Sequence, residues 1–158
     1  MPVIAQVSGA GTFGVVDATH YTLDFGTGLT AGTLYTAHLT LTNAQLSAYQ
    51  DSLKGAYAVT GSGFSSSLDG LTFSGLAADG TSSNAIDITF TSMTGGTVNG
   101  TFALSGLFGS TTGLSDEALA DITISLSGAI SAVPEPSTYA ALAGAMMLVL
   151  AIYRRRRS

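Results

Sequence analysis

The sequence predicts an all-β protein, an antiparallel β-sandwich or jelly-roll-like domain with one short helix, followed by a single C-terminal transmembrane helix. Three observations carry that expectation. Short segments of alternating apolar and hydroxyl side chains recur along the first 130 residues, separated by glycine-rich turns. No helix of the kind that links parallel strands stands between them, which disfavours a βαβ architecture. The last apolar run is different in kind, uninterrupted by charge and closed by arginines.

In chain order, Gln6 to Gly9 and Thr12 to Val16 read as a first strand pair joined by glycines. His20 to Phe25 places Tyr21, Leu23 and Phe25 on one face and His20, Thr22 and Asp24 on the other. Thr33 to Thr42 alternates again, with Tyr35, Ala37, Leu39 and Leu41 inward. Residues 43–54 read as the body's helix: Asn43 caps it, Leu46, Tyr49 and Leu53 share a face, and Lys54-Gly55 stops it. Tyr57 to Thr60 and Leu71 to Phe73 follow as short strands.

Ala85 to Met93 turns Ile86, Ile88 and Phe90 to one side, and Thr97 to Leu107 does the same with Val98, Phe102 and Leu104. Thr94-Gly95-Gly96 between them suggests a hairpin. Ser115 to Leu119 reads as one helical turn, and Ile122, Ile124 and Leu126 mark a last strand. Seven or eight such segments fit two packed antiparallel sheets.

Composition narrows the function classes. Only 9% of residues are charged and cysteine is absent, so the body stands without disulfides, thiolate metal sites or cysteine nucleophiles. All ten acidic residues precede Pro136, where Lys54 is the one base, so the body repels phosphate backbones and nucleic acid is not an expected partner. No metal site, cofactor or catalytic residue is expected. His20 and His38 lie on polar strand faces with no spaced third ligand, and no Gly-x-Ser-x-Gly elbow has a partner.

The C-terminal segment is more informative. Tyr139 to Tyr153 is uncharged and rich in good helix formers, and Arg154, Arg155, Arg156 and Arg157 close it. Residues 137–153 at 1.5 Å each give a rod of about 25 Å, slightly short of a ~30 Å hydrocarbon core. Tyr139 and Tyr153 stand at the two membrane interfaces, and the arginines keep their end in the cytoplasm with the body outside. Pro134 and Pro136 flank Glu135 and hold the chain extended before the helix.

The order Val133-Pro134-Glu135-Pro136-Ser137-Thr138, then a short apolar helix, then an arginine cluster, resembles the PEP-CTERM sorting signal of Gram-negative bacteria. The resemblance covers about the last 26 residues. It implies export, a transient hold in the inner membrane, and processing near Pro134, Glu135 and Pro136 by an exosortase-type enzyme. The protein would then reach the cell surface or the extracellular space. It further implies an association with exopolysaccharide and the extracellular matrix of a biofilm. Membrane lipid and the processing enzyme are the expected partners.

Residues 1–5 lack a basic or long apolar leader, yet Val3-Ile4-Ala5 has signal-peptidase spacing, so they read as the remnant of a signal peptide. The expected organisation is therefore an exported domain over 6–128, a linker over 129–136, a transmembrane helix over 137–153 and a cytoplasmic end over 154–158. For the body, low charge and hydroxyl-rich strands favour a structural or adhesive role. A carbohydrate-binding sandwich with tyrosines as stacking platforms is the alternative, and a secreted hydrolase is disfavoured.

Overall fold

A computed structural model describes residues 1–44, 52–79, 82–110, 117–131 and 136–156. Eleven strands and one helix follow in the order β1 Pro2–Gly9, β2 Thr12–Val15, β3 His20–Asp24, β4 Tyr35–Asn43, β5 Ser52–Thr60, β6 Phe64–Ser65, β7 Thr72–Leu76, β8 Ser83–Phe90, β9 Gly96–Ser110, β10 Glu117–Ala118, β11 Ile122–Ile130 and α1 Pro136–Arg155. The strands form a small sheet, β1-β4-β8-β6, and a large one, β2-β3-β11-β9-β5-β7, with β10 pairing β9.

Most of the inward residues read from alternation are those that the core buries; Tyr35 and Val98, also read as inward, are only half-buried against it. Tyr21, Leu23 and Phe25, Ala37, Leu39 and Leu41, Ile86, Ile88 and Phe90, Phe102 and Leu104, and Ile122, Ile124 and Leu126 all belong to one apolar cluster shared by the two sheets. Period-2 patterning makes a two-sided strand, and burying its apolar side against a second such sheet gives the sandwich. Two side-chain amides tie the layers together: Asn84 donates to the Tyr57 hydroxyl at 3.3 Å, and the buried Asn43 donates to the Leu76 carbonyl at 3.2 Å.

Several local expectations are corrected. The proposed hairpin of β8 and β9 does not exist: β8 pairs β4 and β6 in the small sheet, whereas β9 pairs β11, β5 and β10 in the large one. Likewise β1 pairs β4 while β2 pairs β3, so the first strand pair is divided between the sheets. Each connection crosses from layer to layer, and strand alternation carries no information about which layer a strand joins.

Among the described strands β3 pairs β11 in parallel, from Thr123↔His20 to Ser127↔Asp24, and an isolated parallel bridge joins Leu29 to Ile130. A parallel pair needs a long crossover, and here that crossover is the whole chain between the two strands.

The helix expected over 43–54 is strand at both described ends, because Asn43 closes β4 and Ser52 to Lys54 open β5, where Leu53 is buried. Residues 45–51 lie outside the described residues. The helical turn expected over 115–119 contains strand β10, paired to Phe108 and Gly109; residues 115 and 116 are outside the described residues. At Asn43 and at Ser52 to Lys54 strand partners distant in sequence, and at Glu117 and Ala118 the nearby end of β9, outweigh a weak local helical preference.

A bulge explains a pattern that simple alternation misses. Lys54 lies opposite Phe108 but Ala56 opposite Ser105, so β9 gains one residue around Gly106, which has φ +58°. That insertion flips the face of the strand, allowing Leu104 and Leu107 both to be buried.

Both ends of the body are held by strand pairing. Pro2 to Ala5 pair with Asn43 to Thr40, and Ile4 is 3% exposed, so residues 1–5 are built into the small sheet. At the other end β11 runs to Ile130, and Ser131 donates its N–H to the Leu29 carbonyl at 2.9 Å.

Candidate functional site

The strongest candidate from the sequence is the C-terminal segment, and α1 covers most of it. Pro136 is its first residue, a position where a missing N–H costs nothing because no carbonyl lies one turn earlier to receive it. Pro134 and Glu135 lie outside the described residues, as does Arg157. Arg154 and Arg155 occupy the last helical turn, where cations complement the partial negative charge of the helix end.

Every side chain of α1 described is exposed, and the exposed set is apolar all round. Leu142, Met146, Met147, Leu148, Val149 and Leu150 are each between 62% and 70% exposed. Tyr139 and Tyr153, at 60% and 53%, stand near opposite ends, about 21 Å apart along the axis at 1.5 Å per residue. Thus the helix begins one residue earlier and ends two residues later than the expected 137–153. Among the described residues, no helix is long and apolar enough to cross a membrane.

The two histidines, considered together as metal ligands, lie in different sheets: His20 on β3 and His38 on β4. Each imidazole instead meets a carboxylate. His38 Nδ1 is 2.7 Å from Asp87 Oδ1, a pair formed directly across β4 and β8 at His38↔Asp87. His20 Nδ1 is 2.9 Å from Asp17, three residues earlier. Both pairs are solvent-exposed, and among the described residues no three His, Cys, Asp or Glu side chains gather into a metal-binding group.

Asp17 has a strongly altered acidity. It accepts the Thr19 N–H at 2.8 Å, faces His20 Nδ1, and also accepts the His20 N–H at 2.8 Å. These contacts, the Thr19 N–H first and the His20 ring second, lower its pKa from 3.8 to about 2. A depressed folded value means that the turn is favoured above the ordinary carboxylate range and loses that contribution as pH falls toward about 2. We expect carbon-detected titration of Asp17 to give a midpoint near about 2, moving upward in His20→Ala. A midpoint at the ordinary value of 3.8 would disprove the turn geometry.

Among the described residues, the body's tyrosines are not presented as sugar-stacking platforms. Tyr21 and Tyr57 are 5% and 3% exposed. Tyr35 is half-buried, its hydroxyl accepting the Thr30 N–H at 3.0 Å. Tyr49 lies outside the described residues. The core needs these rings: Tyr57 packs against Phe73 and Phe102, and Tyr21 stacks on Phe13.

No family model matches this chain, and no curated protein matches it either. Solved structures similar to it include the ASH/PapD-like domain 7 of human CEP192, at 12% identity and a TM-score of 0.45, covering 71% of this chain and 82% of that one. Another is a family 123 glycoside hydrolase from Clostridium perfringens, at 8% identity and a TM-score of 0.45, with 86% of this chain covered but only 28% of the hydrolase.

Proposed function

We propose that this is an exported protein of a Gram-negative bacterium, sorted through a PEP-CTERM-type C-terminal signal and held only briefly in the inner membrane before release. Its destination is the cell surface or extracellular matrix, where the body acts as a structural or adhesive component of the exopolysaccharide layer. The observation that carries the reading is the exposure of large apolar side chains on all faces of α1, next to a body whose own core is complete without it. Such a helix needs an apolar surrounding that the body does not supply.

Lipid supplies that surrounding. The apolar stretch is short, so the helix relies on Tyr139 and Tyr153 at the headgroups and on the reach of the arginine side chains. A short span suits a temporary hold. Pro134, Glu135 and Pro136 are the recognition motif for an exosortase-type processing enzyme, and Arg154 to Arg157 form the cytoplasmic stop. The body fits an extracellular layer because its charge is low and its strands draw their polarity from hydroxyls more than from ions.

Replacing Pro134, Glu135 and Pro136 together by alanine in an exosortase-bearing host tests this directly. The expected result is that most of the protein accumulates at full length in the membrane fraction, with little released. Release of the variant at the wild-type level would refute the recognition role.

A further inference from the structure

Among the described residues, the small sheet lacks a strand where the large sheet continues. Beyond β8 it holds only the two residues of β6, which pair with Phe90 and Thr89 and pack over β5. The large sheet extends past β5 to β7. From Ser83 to Ile88, therefore, β8 has β4 on one side and, among the described residues, no strand on the other.

The direction of the free groups follows from the ladder. Thr91 donates its N–H to the Gly63 carbonyl on the β6 side at 2.8 Å, while the Ser92 carbonyl accepts from Gly32 on the β4 side. Main-chain groups alternate along a strand, so Ser83, Ala85 and Asp87 direct their N–H and C=O toward the gap. The open edge is about 20 Å long at 3.4 Å per residue.

Beside its lower half lies a groove of about 310 Å³, lined by Tyr57, Leu68, Leu71, Phe73 and Asn84 among others. Leu71 is 52% exposed there. A row of strand groups that face no described strand, next to a groove of mixed lining in which Leu68, Leu71 and Phe73 are the apolar members, is the arrangement that receives an added strand, with main-chain bonds for affinity and alternate side chains for selectivity.

We propose that this edge binds an extended segment of a partner polypeptide, as a strand that pairs with β8 and seats an apolar side chain against Leu68, Leu71 and Phe73. The partner segment is basic. The body holds nine carboxylates against the single base Lys54, and Asp87, exposed and paired with His38, lies on the edge strand itself. A second copy is the poorer occupant. It would present the same excess of carboxylates to this edge. The proposal stands independently of the C-terminal processing.

The test uses the full chain in detergent and a short synthetic peptide of alternating Val and Thr with Lys at each end. The peptide is expected to slow amide exchange at Ser83, Ala85 and Asp87 by about tenfold or more, and to leave the β1 edge unchanged. Ala85→Pro removes one edge N–H without touching the β4 ladder, and Leu71→Glu changes a half-exposed groove residue in a chain that retains its core. Either substitution is expected to abolish the slowing at Ser83 and Asp87. No slowing in the unaltered protein would overturn the proposal, and equal slowing by a peptide with Glu at each end would overturn the basic partner. Slowing that grows with protein concentration in the absence of peptide would assign the edge to a second copy instead.

Discussion

Phe90→Ala is expected to lower the free energy of unfolding by about 3–5 kcal/mol, the range for deleting a fully buried aromatic ring. Phe90 has no exposed surface and packs against Phe64 and Phe25, with ring centroids 4.8 and 5.6 Å away. Its edge faces Gly128 of β11 across the sandwich. A Cβ on Gly128 would fall 2.9 Å from Phe90 Cε1 and 3.1 Å from Cζ, closer than carbon atoms pack. Gly128→Val therefore overpacks the same site, with an expected cost of about 1–3 kcal/mol or more.

The two changes should be strongly coupled, because removing the ring vacates the space that the valine needs. Urea unfolding of both single variants and the double variant measures this. If Gly128→Val were as costly in the Phe90→Ala background as in the wild type, the close approach at this point would be wrong.

The second large effect is expected at the amino-terminal strand. A chain that begins at Gln6 loses the paired residues 2–5 and the buried Ile4, and uncovers β4 from Thr40 to Asn43. Loss of the Ile4 side chain alone is worth about 2–5 kcal/mol, and the unpaired β4 edge adds to that. Domains of this size have only about 5–15 kcal/mol in all, so the shortened chain should unfold at markedly lower urea. An unchanged unfolding midpoint would show that residues 1–5 contribute nothing to the sheet. It would also support the boundary at residue 6 suggested by Val3-Ile4-Ala5.

Gly106 shows how little local sequence says about strand continuity. It lies in a strand whose alternation is clear up to Leu104, and one added residue there moves Leu107 to the face that Leu104 already occupies. A glycine in a strand is compatible with a bulge but does not require one. Asn43 makes the same point for helix caps. Its amide suits a helix start, yet it is buried at the end of β4, where the Leu76 carbonyl of the other sheet takes its hydrogen bond. Of the C-terminal site, the helix from Tyr139 to Tyr153 and its arginine end could be read directly from the residues, because an uninterrupted apolar run closed by charge needs no tertiary partner to define it.

By itself the sequence determined that the body is β-rich, which side chains point inward on β3, β4, β8, β9 and β11, and where α1 lies. These properties depend on a period of two or on a run of helix formers, and both are local. Only the tertiary structure decided that β8 and β9 belong to different sheets, that β3 lies parallel to β11, that residues 2–5 pair into a sheet, and that from Ser83 to Ile88 β8 has, among the described residues, a strand on one side alone. Each of those depends on which distant strand supplies the neighbouring hydrogen bonds, and strands with the same alternation offer the same donors and acceptors to any partner.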